Sequence, residues 1–292
     1  MSINRRAFIA QSAAGLACLS TATAHSAEKS AELKLGLVTY NWGKDWDVPT
    51  IIRNCEATGF TGVELRSTHK HGVEITIDAK RREDVRKQFA DSNVKLVGLG
   101  SACEYHAVDP AVVKKNIDET KQFVTLCKQL GGTGVKVRPN GLPKDRPVEK
   151  TLVQIGKSLN EVGKFAADHG VQIRVEVHGR GTSEIPHMKS LMDIADHPSV
   201  VVCWNCNPTD LKGEGLKHNY NLLRDRIGTI HIHDLRNDKY PWKELFPLLK
   251  KTNTKSFTGW TLLEDGKVPQ DIVGAMHENK RAWDRLRKAV GV

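Results

Sequence analysis

The sequence predicts a single-domain α/β protein whose fold is a closed (β/α)8 barrel. Short apolar segments rich in Val, Ile and Leu alternate with longer amphipathic segments, at a repeat of about 30 residues. Helix start and stop signals separate them: Asp47 stands before Pro49 at the first helix, and Gly59 ends it. No glycine-rich phosphate loop follows the first strand, which argues against an open dinucleotide-binding sheet.

The eight predicted strands lie at residues 33–40, 62–66, 94–100, 134–138, 172–178, 200–205, 228–233 and 259–264. The predicted helices lie at residues 51–58, 80–92, 110–130, 147–169, 186–195, 242–251 and 271–289. Between the sixth and seventh strands the sequence is compatible with either a short helix or a loop, up to Arg226. Eight alternations of this length are typical of a barrel.

Length and composition are those of one large globular domain, with 292 residues, 39% hydrophobic and 27% charged. The formal net charge is +10, but the Lys and Arg residues are spread through the helical segments. No basic block is interleaved with aromatic residues, so we expect no nucleic-acid partner. Beyond the N-terminus no apolar run approaches a membrane span, and we expect no stable membrane insertion after processing.

Residues 1–27 are predicted to be an export signal, and residues 28–292 the barrel domain. Arg5 and Arg6 precede a mildly hydrophobic stretch that runs to Thr21, and residues 22–24 are Ala-Thr-Ala, a small-residue cleavage site. The adjacent arginines resemble the twin-arginine (Tat) signal, which exports folded proteins. We therefore expect a periplasmic or otherwise Tat-exported protein. An ordinary secretory signal is the alternative.

Five cysteines remain once Cys18 of the signal is set aside. An odd number scattered over strands and helices does not indicate a disulfide framework. Cys203 and Cys206 match the C-x-x-C pattern, yet they stand at a strand end, where residues three apart face opposite ways. We expect buried apolar side chains rather than redox or zinc chemistry.

Acidic, amide and imidazole residues gather near the ends of the last four predicted strands. Glu176 and His178 end the fifth strand, Asn205 the sixth, His231 and His233 the seventh, and Glu264 the eighth. Residues two apart on a strand share a face, so each pair points to one side of the sheet. The C-terminal ends of barrel strands meet at one rim, where this fold builds its active sites.

These motifs resemble those of the xylose isomerase-like TIM barrel superfamily, the sugar phosphate isomerase/epimerase family. The marks are E-x-H on strand five, C-W-x-x-N from Cys203, H-x-H on strand seven and the final Glu of strand eight. The resemblance implies a (β/α)8 TIM barrel holding one divalent metal ion, Mn²⁺, Mg²⁺, Co²⁺ or Zn²⁺. It implies that the metal ligands are Glu176, Asn205, His233 and Glu264.

Asn205 departs from the family pattern, which usually has Asp at this position. An amide oxygen binds a hard cation but brings no charge, so we expect either weaker metal binding or a stronger Lewis acid. A changed or lost chemistry also stays open, as does a plain turn role before Asn207 and Pro208.

The resemblance further implies a sugar isomerase or epimerase that acts on a ketose-like carbohydrate by proton abstraction. Glu176 and Glu264 exchange the proton in this scheme, while the metal ion polarises the carbonyl oxygen. A keto-sugar lyase or dehydratase, for instance one acting on 3-keto-glycosides, is the chemically adjacent alternative. A non-catalytic carbohydrate-binding barrel is another. The expected partner is a small carbohydrate, and a homo-oligomer stays open.

Further polar or aromatic side chains near the strand ends are candidates for substrate binding. They are His178, His231, Arg236, Lys136, Arg138, Glu104, His106 and Trp42. Each has an alternative as a rim, loop or packing residue. For His231, one step deeper in its strand than His233, we prefer a structural or supporting role.

Overall fold

Eight parallel strands close into a barrel in the computed structural model of the protein, which describes residues 32–291. The strands are β1 Lys34–Val38, β2 Gly62–Arg66, β3 Lys95–Glu104, β4 Gly134–Arg138, β5 Gln172–Glu176, β6 Val200–Asn205, β7 Ile227–Ile232 and β8 Trp260–Leu263. Each strand pairs with its neighbour in sequence, and β8 pairs with β1, where Lys34 lies opposite Trp260. The order is that of a (β/α)8 barrel, and the prediction of a single barrel domain is confirmed.

A helix follows every strand and packs on the outside of the barrel. The helices are α1 Val48–Thr58, α2 Ala79–Ala90, α3 Pro110–Leu130, α4 Val148–Asp168, α5 Ile185–Ile194, α6 Gly215–Leu223, α7 Trp242–Lys250 and α8 Ile272–Ala289. Within residues 32–291 no helix combines the length and the apolar character needed to cross a membrane. The predicted export signal, residues 1–27, lies outside the described residues.

The helix boundaries follow local chemistry that is readable in the sequence. The Asp47 carboxylate accepts a hydrogen bond from the Thr50 backbone N–H at 2.9 Å, which caps the start of α1. Gly59 ends the same helix in the left-handed conformation, with φ 76°, and its N–H donates to the Glu56 carbonyl oxygen. The signals at Asp47 and Gly59 therefore position α1 as expected.

The strand ends differ from the predicted ones in ways that affect the mouth of the barrel. β3 continues to Glu104, because after an irregular stretch the strand pairs again with β4, Glu104 opposite Arg138. β5, β7 and β8 each stop earlier than predicted. His178, His233 and Glu264 therefore follow their strands and lie where the chain turns into the loops. The segment before Arg226, for which the sequence allowed either a short helix or a loop, contains the helix α6.

The cysteines behave as the sequence indicated. Cys55, Cys103, Cys127, Cys203 and Cys206 are all free thiols, and all of them are buried. Burial raises the pKa of the Cys203 thiol, so it stays protonated at neutral pH. The C-x-x-C pair thus contributes packing near the end of β6 and forms no disulfide.

A buried arginine fills the barrel interior below the mouth. Arg174 of β5 is fully buried, and its guanidinium donates hydrogen bonds to the Val97 carbonyl oxygen and to the Thr133 hydroxyl, both at 3.0 Å. Glycine backbones make room for it: a methyl group on Gly134 would come within 2.2 Å of the guanidinium. The barrel is therefore a packed, partly polar core rather than an open channel.

A close backbone contact that constrains this interior is testable at Gly98. A β-carbon there would lie 2.3 Å from the Gly134 carbonyl oxygen, a backbone atom that cannot rotate away. We expect Gly98→Ala to lower the free energy of unfolding by about 1–3 kcal/mol in urea titrations. Gly266→Ala is the control, since nothing lies within 4 Å of its added carbon, and we expect a change below about 0.5 kcal/mol. Equal stabilities of the two variants would contradict this packing.

Candidate metal centre and active site

A pocket of about 260 Å³ opens at the C-terminal ends of the strands. Its lining consists of Tyr40, Arg66, Lys136, Arg138, Glu176, His178, Asn205, Asn207, His233, Glu264 and Gly266. The four residues expected to bind metal are thus brought together, along with three of the substrate-binding candidates. A larger groove of about 590 Å³ lies on the outer face of α4, but it is open and lined by helix surface side chains. We place the candidate site in the smaller pocket because the strand ends converge there.

An ion pair joins β4 and β5 at the base of this pocket. The Lys136 ammonium donates to Glu176 Oε2 at 2.7 Å, and both side chains are almost completely buried. Burial works against a charge on Lys136, but Glu176, Glu264 and Glu64 outweigh it and raise the pKa of Lys136 above its ordinary value. The site therefore contains a permanent positive charge next to a carboxylate.

Asn205 contributes an amide that is satisfied on one side only. Its Nδ2 donates to Glu176 Oε1 at 3.1 Å. Its Oδ1 is buried and accepts no hydrogen bond from any described residue. A buried carbonyl oxygen without a partner is costly, and a bound cation is one group that satisfies it. Asn205 is therefore poised to offer an oxygen to the pocket.

Beneath the pocket, His231 lies between two carboxylates and is fully buried. Its Nδ1 is 3.0 Å from Glu264 Oε2, and its Nε2 is 3.5 Å from Glu64 Oε1. Burial works against protonation, but Cys203, Glu264 and Glu64 together outweigh it and hold the pKa of His231 well above the histidine range. His231 is therefore an imidazolium that supports Glu264 from below.

Glu264 is held in its ionised form by this arrangement. Burial works to raise its pKa, but His231 and then Lys136 lower it to about 2. At neutral pH the pocket therefore contains a Glu264 carboxylate.

His233 presents a different imidazole. Its Nδ1 lies 2.7 Å from the backbone carbonyl oxygen of Glu264, so this nitrogen carries the proton and donates. The other nitrogen, Nε2, is left as an acceptor, which is the tautomer that metal-binding histidines adopt. Since both nitrogens of His231 face carboxylates, we take His233 as the candidate imidazole ligand.

The ligand atoms that the pocket offers are of the chemical types that bind divalent cations. An oxygen of Glu176 and an oxygen of Glu264 lie within 4.8 Å of each other, which is close enough to share an ion. His231 lies within the same distance, but as an imidazolium it has no lone pair to offer. Around them the pocket offers the Asn205 oxygen and the His233 imidazole. Two carboxylates, one amide oxygen and one imidazole suit Mg²⁺, Mn²⁺, Co²⁺ and Zn²⁺ alike.

Besides Lys136, three of the substrate-binding candidates lie at the pocket wall or beside it. His178 lines the pocket, and its Nδ1 contacts Asn140 Oδ1 at 2.8 Å. Arg138 also lines the pocket and donates to Glu104 Oε1 at 2.6 Å. Glu104 itself is not part of the lining; it holds Arg138 in place from behind.

The structure places the remaining candidates away from the pocket lining. Besides the deeper His231, they are His106, Trp42 and Arg236. His106 lies on the far side of Glu104, 3.5 Å from its carboxylate. Trp42 is buried, and its indole N–H donates to the Lys267 carbonyl oxygen at 2.9 Å. Arg236 turns outward and pairs with Asp234 and Glu278.

Sequence reasoning missed four lining residues, which are Tyr40, Arg66, Asn207 and Gly266. Arg66 is the last residue of β2, and its guanidinium donates to the Ser67 hydroxyl at 2.7 Å. The signal was available, because Arg66 lies two residues beyond Glu64 and so shares its inward face. Tyr40 and Asn207 follow β1 and β6 in loops, where alternation no longer indicates direction.

A buried carboxyl group secures the loop that follows Asn205. Asp210 is completely buried and accepts hydrogen bonds from the Tyr240 hydroxyl at 2.8 Å and the Asn207 backbone N–H at 2.9 Å, both on Oδ2. Burial raises the pKa of Asp210 to about 7. The orientation of Asn207, a pocket residue, thus depends on a carboxyl group that is largely protonated below neutral pH.

The chain belongs to the xylose isomerase-like TIM barrel family, which it matches over residues 52–287. This agrees with the barrel and with the position of the pocket described above. The family expectation drawn from the strand-end motifs is confirmed.

The chain is similar to two carbohydrate enzymes in sequence and to a third in its fold. It is 19% identical to the L-ribulose 3-epimerase of Methylomonas sp. (strain DH-1), over 65% of this chain and 69% of that one. It is 21% identical to the inosose dehydratase of Bacillus thuringiensis (strain Al Hakam), over 72% and 74%. The crystal structure of 3-keto-D-glucoside 4-epimerase from E. coli superposes with a TM-score of 0.72 at 14% identity, covering 88% of this chain and 100% of that one. This last likeness shows the shared fold.

The Asp210 carboxyl group makes stability depend on pH. The folded state keeps the Asp210 proton up to about pH 7, whereas the unfolded chain releases it near the ordinary aspartate pKa of 3.8. The folded state binds more protons over that interval, so stability falls as pH rises from about 4 to about 7. Asp210→Asn removes this loss, and we expect its advantage over the unchanged protein to grow by roughly 2–3 kcal/mol between about pH 5 and pH 8. Urea unfolding at the two pH values measures it, with the exposed Asp225→Asn as control; a pH-independent difference would contradict the assignment.

Proposed function

We propose that the protein is an isomerase or epimerase of a ketose-like carbohydrate and that it acts by removing a proton next to a carbonyl group. The observation that carries the proposal is the convergence of Glu176 and Glu264 on one pocket, where an oxygen of one lies within 4.8 Å of an oxygen of the other. The similar proteins support it, because a ribulose, an inosose and a 3-keto-glucoside are all carbohydrates that carry a ketone.

The two carboxylates supply the acid and base of the reaction. One of them accepts the proton from the carbon beside the carbonyl, and the electron pair of that C–H bond moves into an enediolate whose oxygen becomes negative. Return of a proton to the other face inverts the carbon. The second carboxylate is ionised at the start, so it first takes up that proton from water and then passes it to the carbon. Return to the neighbouring carbon instead moves the carbonyl group. Two carboxylates reached from different strands suit either outcome.

The negative oxygen of the enediolate has to be stabilised. A divalent cation held by Glu176, Asn205, His233 and Glu264 supplies a Lewis acid at that oxygen when it is bound. His231 keeps Glu264 ionised and in place, and the Glu264 carbonyl oxygen fixes the tautomer of His233. These contacts hold the reacting groups before the substrate arrives, which lowers the cost of reaching the transition state.

The pocket wall selects for a polar substrate. Tyr40, Arg66, Arg138 and His178 stand around the opening and offer hydroxyl, guanidinium and imidazole groups. Such groups suit the several hydroxyls of a sugar, which need both donors and acceptors.

A lyase or dehydratase is the second candidate, favoured by the similarity to an inosose dehydratase. The same enediolate expels a leaving group from the β-carbon when the substrate carries one. The expected substrates are then 3-keto-glycosides, and the product is the released aglycone. A carbohydrate-binding barrel without catalysis is the third candidate, which Asn205 keeps open.

Deuterium exchange separates these candidates. We expect the metal-loaded protein to place deuterium from D2O into a recovered ketose, tested with L-ribulose, D-fructose and 3-keto-glycosides and read by mass spectrometry. Glu176→Gln and Glu264→Gln each remove a proton-transfer group, so we expect a fall in exchange of at least about 100-fold. Glu149→Gln, on the outer helix α4, is the matched control and keeps the full rate.

The outcomes assign the reaction. Released aglycone from a 3-keto-glycoside favours the lyase. If sugar binds but neither deuterium exchange nor aglycone release occurs, the result favours a binding protein and contradicts the enzyme proposal.

We also propose that the protein is exported through the Tat pathway, on the strength of Arg5 and Arg6 before an apolar stretch. An exported enzyme meets free sugars and glycosides more readily than sugar phosphates. We expect the full-length chain to reach the periplasm of a Tat-competent host, and the double change Arg5→Lys with Arg6→Lys to leave it in the cytoplasm. Cell fractionation measures this; unchanged export of the double variant would indicate another route.

A further inference from the structure

The candidate metal site already contains a cation from the protein itself. Lys136 lies on β4, opposite Arg174 of β5. Arg174 precedes Glu176 by two residues on β5, so Lys136 lies one inward-facing position below Glu176. From there its side chain extends along the interior face and ends on Glu176 Oε2 at 2.7 Å. Both residues line the same pocket as Asn205, His233 and Glu264. The ammonium therefore lies among the groups that would have to bind a metal ion.

We propose that the Lys136 ammonium is an internal cation that competes with a divalent metal for Glu176 and thereby weakens metal binding. The inference rests on the ligand set of the proposed function, and it adds a residue that controls how that set is filled. It concerns the affinity of the site for metal and does not depend on which sugar the protein acts on.

The charge balance of the pocket supports the competition. Glu176 and Glu264 bring two negative charges and Lys136 one positive charge, while the Asn205 amide brings none. On the pocket wall Arg66 adds a second positive charge, and Arg138 is paired with Glu104. These groups balance one another in the metal-free pocket, and a divalent ion would bring it to two positive charges in excess. Below it the charges of Glu64 and His231 face each other and add little. Like charges in a buried site repel strongly, because little water screens them.

Contact geometry supports it as well. Both oxygens of Glu176 already accept hydrogen bonds, Oε2 from Lys136 and Oε1 from Asn205. Each oxygen of Glu176 has a further lone pair, so a metal ion that binds this carboxylate lies directly beside these donors. The amide of Asn205 can keep Nδ2 on Glu176 and offer Oδ1 to the ion, but an ammonium has no acceptor atom to offer and is repelled by a second cation. Lys136 is thus the group that we expect to move when a metal ion enters.

Calorimetric metal titration tests the proposal directly. The metal-stripped protein is titrated with Mn²⁺ and Zn²⁺ in its unchanged form and as Lys136→Met and Lys136→Gln. Both substitutions remove the charge, and Gln keeps a donor for Glu176. We expect each neutral variant to bind the metal at least about tenfold more tightly. Lys136→Arg, the charge-conserving control, stays within about threefold of the unchanged protein. Neutral variants that bind the metal no more tightly, or not at all, would overturn the proposal.

A second measurement uses the unchanged protein, so it tests the proposal even if the Lys136 variants do not fold. In a crystal structure of the unchanged protein with Mn²⁺, we expect the Lys136 ammonium beyond hydrogen-bond distance of Glu176. An ion bound to Glu176 with the ammonium still in contact would overturn the proposal.

Failure of this inference and failure of the proposed function are distinguishable. If the protein exchanges deuterium but the Lys136 variants bind metal equally tightly, the enzyme proposal holds and the proposed role of Lys136 is wrong. If the variants differ in metal affinity but no deuterium is exchanged, the role of Lys136 holds and the enzyme proposal is wrong.

Discussion

The mouth of the barrel depends on one electrostatic constraint: the charges buried at its base lie beside opposite ones. The contact between Lys136 and Glu176 is the clearest case, because neither side chain is reached by water. A carboxylate or ammonium buried alone would cost several kcal/mol. The same rule orders the layers below, where His231 lies between Glu64 and Glu264. Removing one member of such a set leaves its partner uncompensated, so the residues act as one structural unit.

The fold explains why these charges meet. Parallel strands start and end at the same levels, and alternate residues of each strand face the barrel interior. Arg174 and Glu176 are two residues apart on β5, so one fills the interior and the other reaches the mouth. The mouth is therefore built on rigid strands, and only its outer wall, with Tyr40 and Asn207, comes from loops. A site of this kind holds its acid and base groups in position before the substrate binds.

The part of the site that could be predicted from sequence is the part that follows strand alternation. Glu176, Asn205, His233 and Glu264 stand at the ends of successive strands, and the structure brings them to one pocket. Strand period and order lead to the expectation that they converge, and the family resemblance selects these four as metal ligands. The residues were expected to serve a metal ion, and that role stays a prediction.

What could not be predicted depends on contacts between residues distant in sequence. Lys136 was expected to bind substrate, and its ion pair with Glu176, 40 residues later, appears only when β4 and β5 are placed side by side. The Tyr240 contact that helps to hold Asp210 spans 30 residues and two loops. Arg236 leaves the mouth because Asp234 and Glu278 offer it a better-paired position outside. Loop direction and competition among charged partners carry no periodic signal, so sequence reasoning had no means of finding them.

The central claim is that Glu176 and Glu264 flank the carbon that loses its proton. A crystal structure of the metal-loaded protein with a bound ketose tests this most directly. We expect the carbon next to the carbonyl group to lie between the two carboxylates, with an oxygen of each within about 3.5 Å of it. A sugar bound outside the pocket, or one whose acidic carbon is near neither carboxylate, would contradict the account.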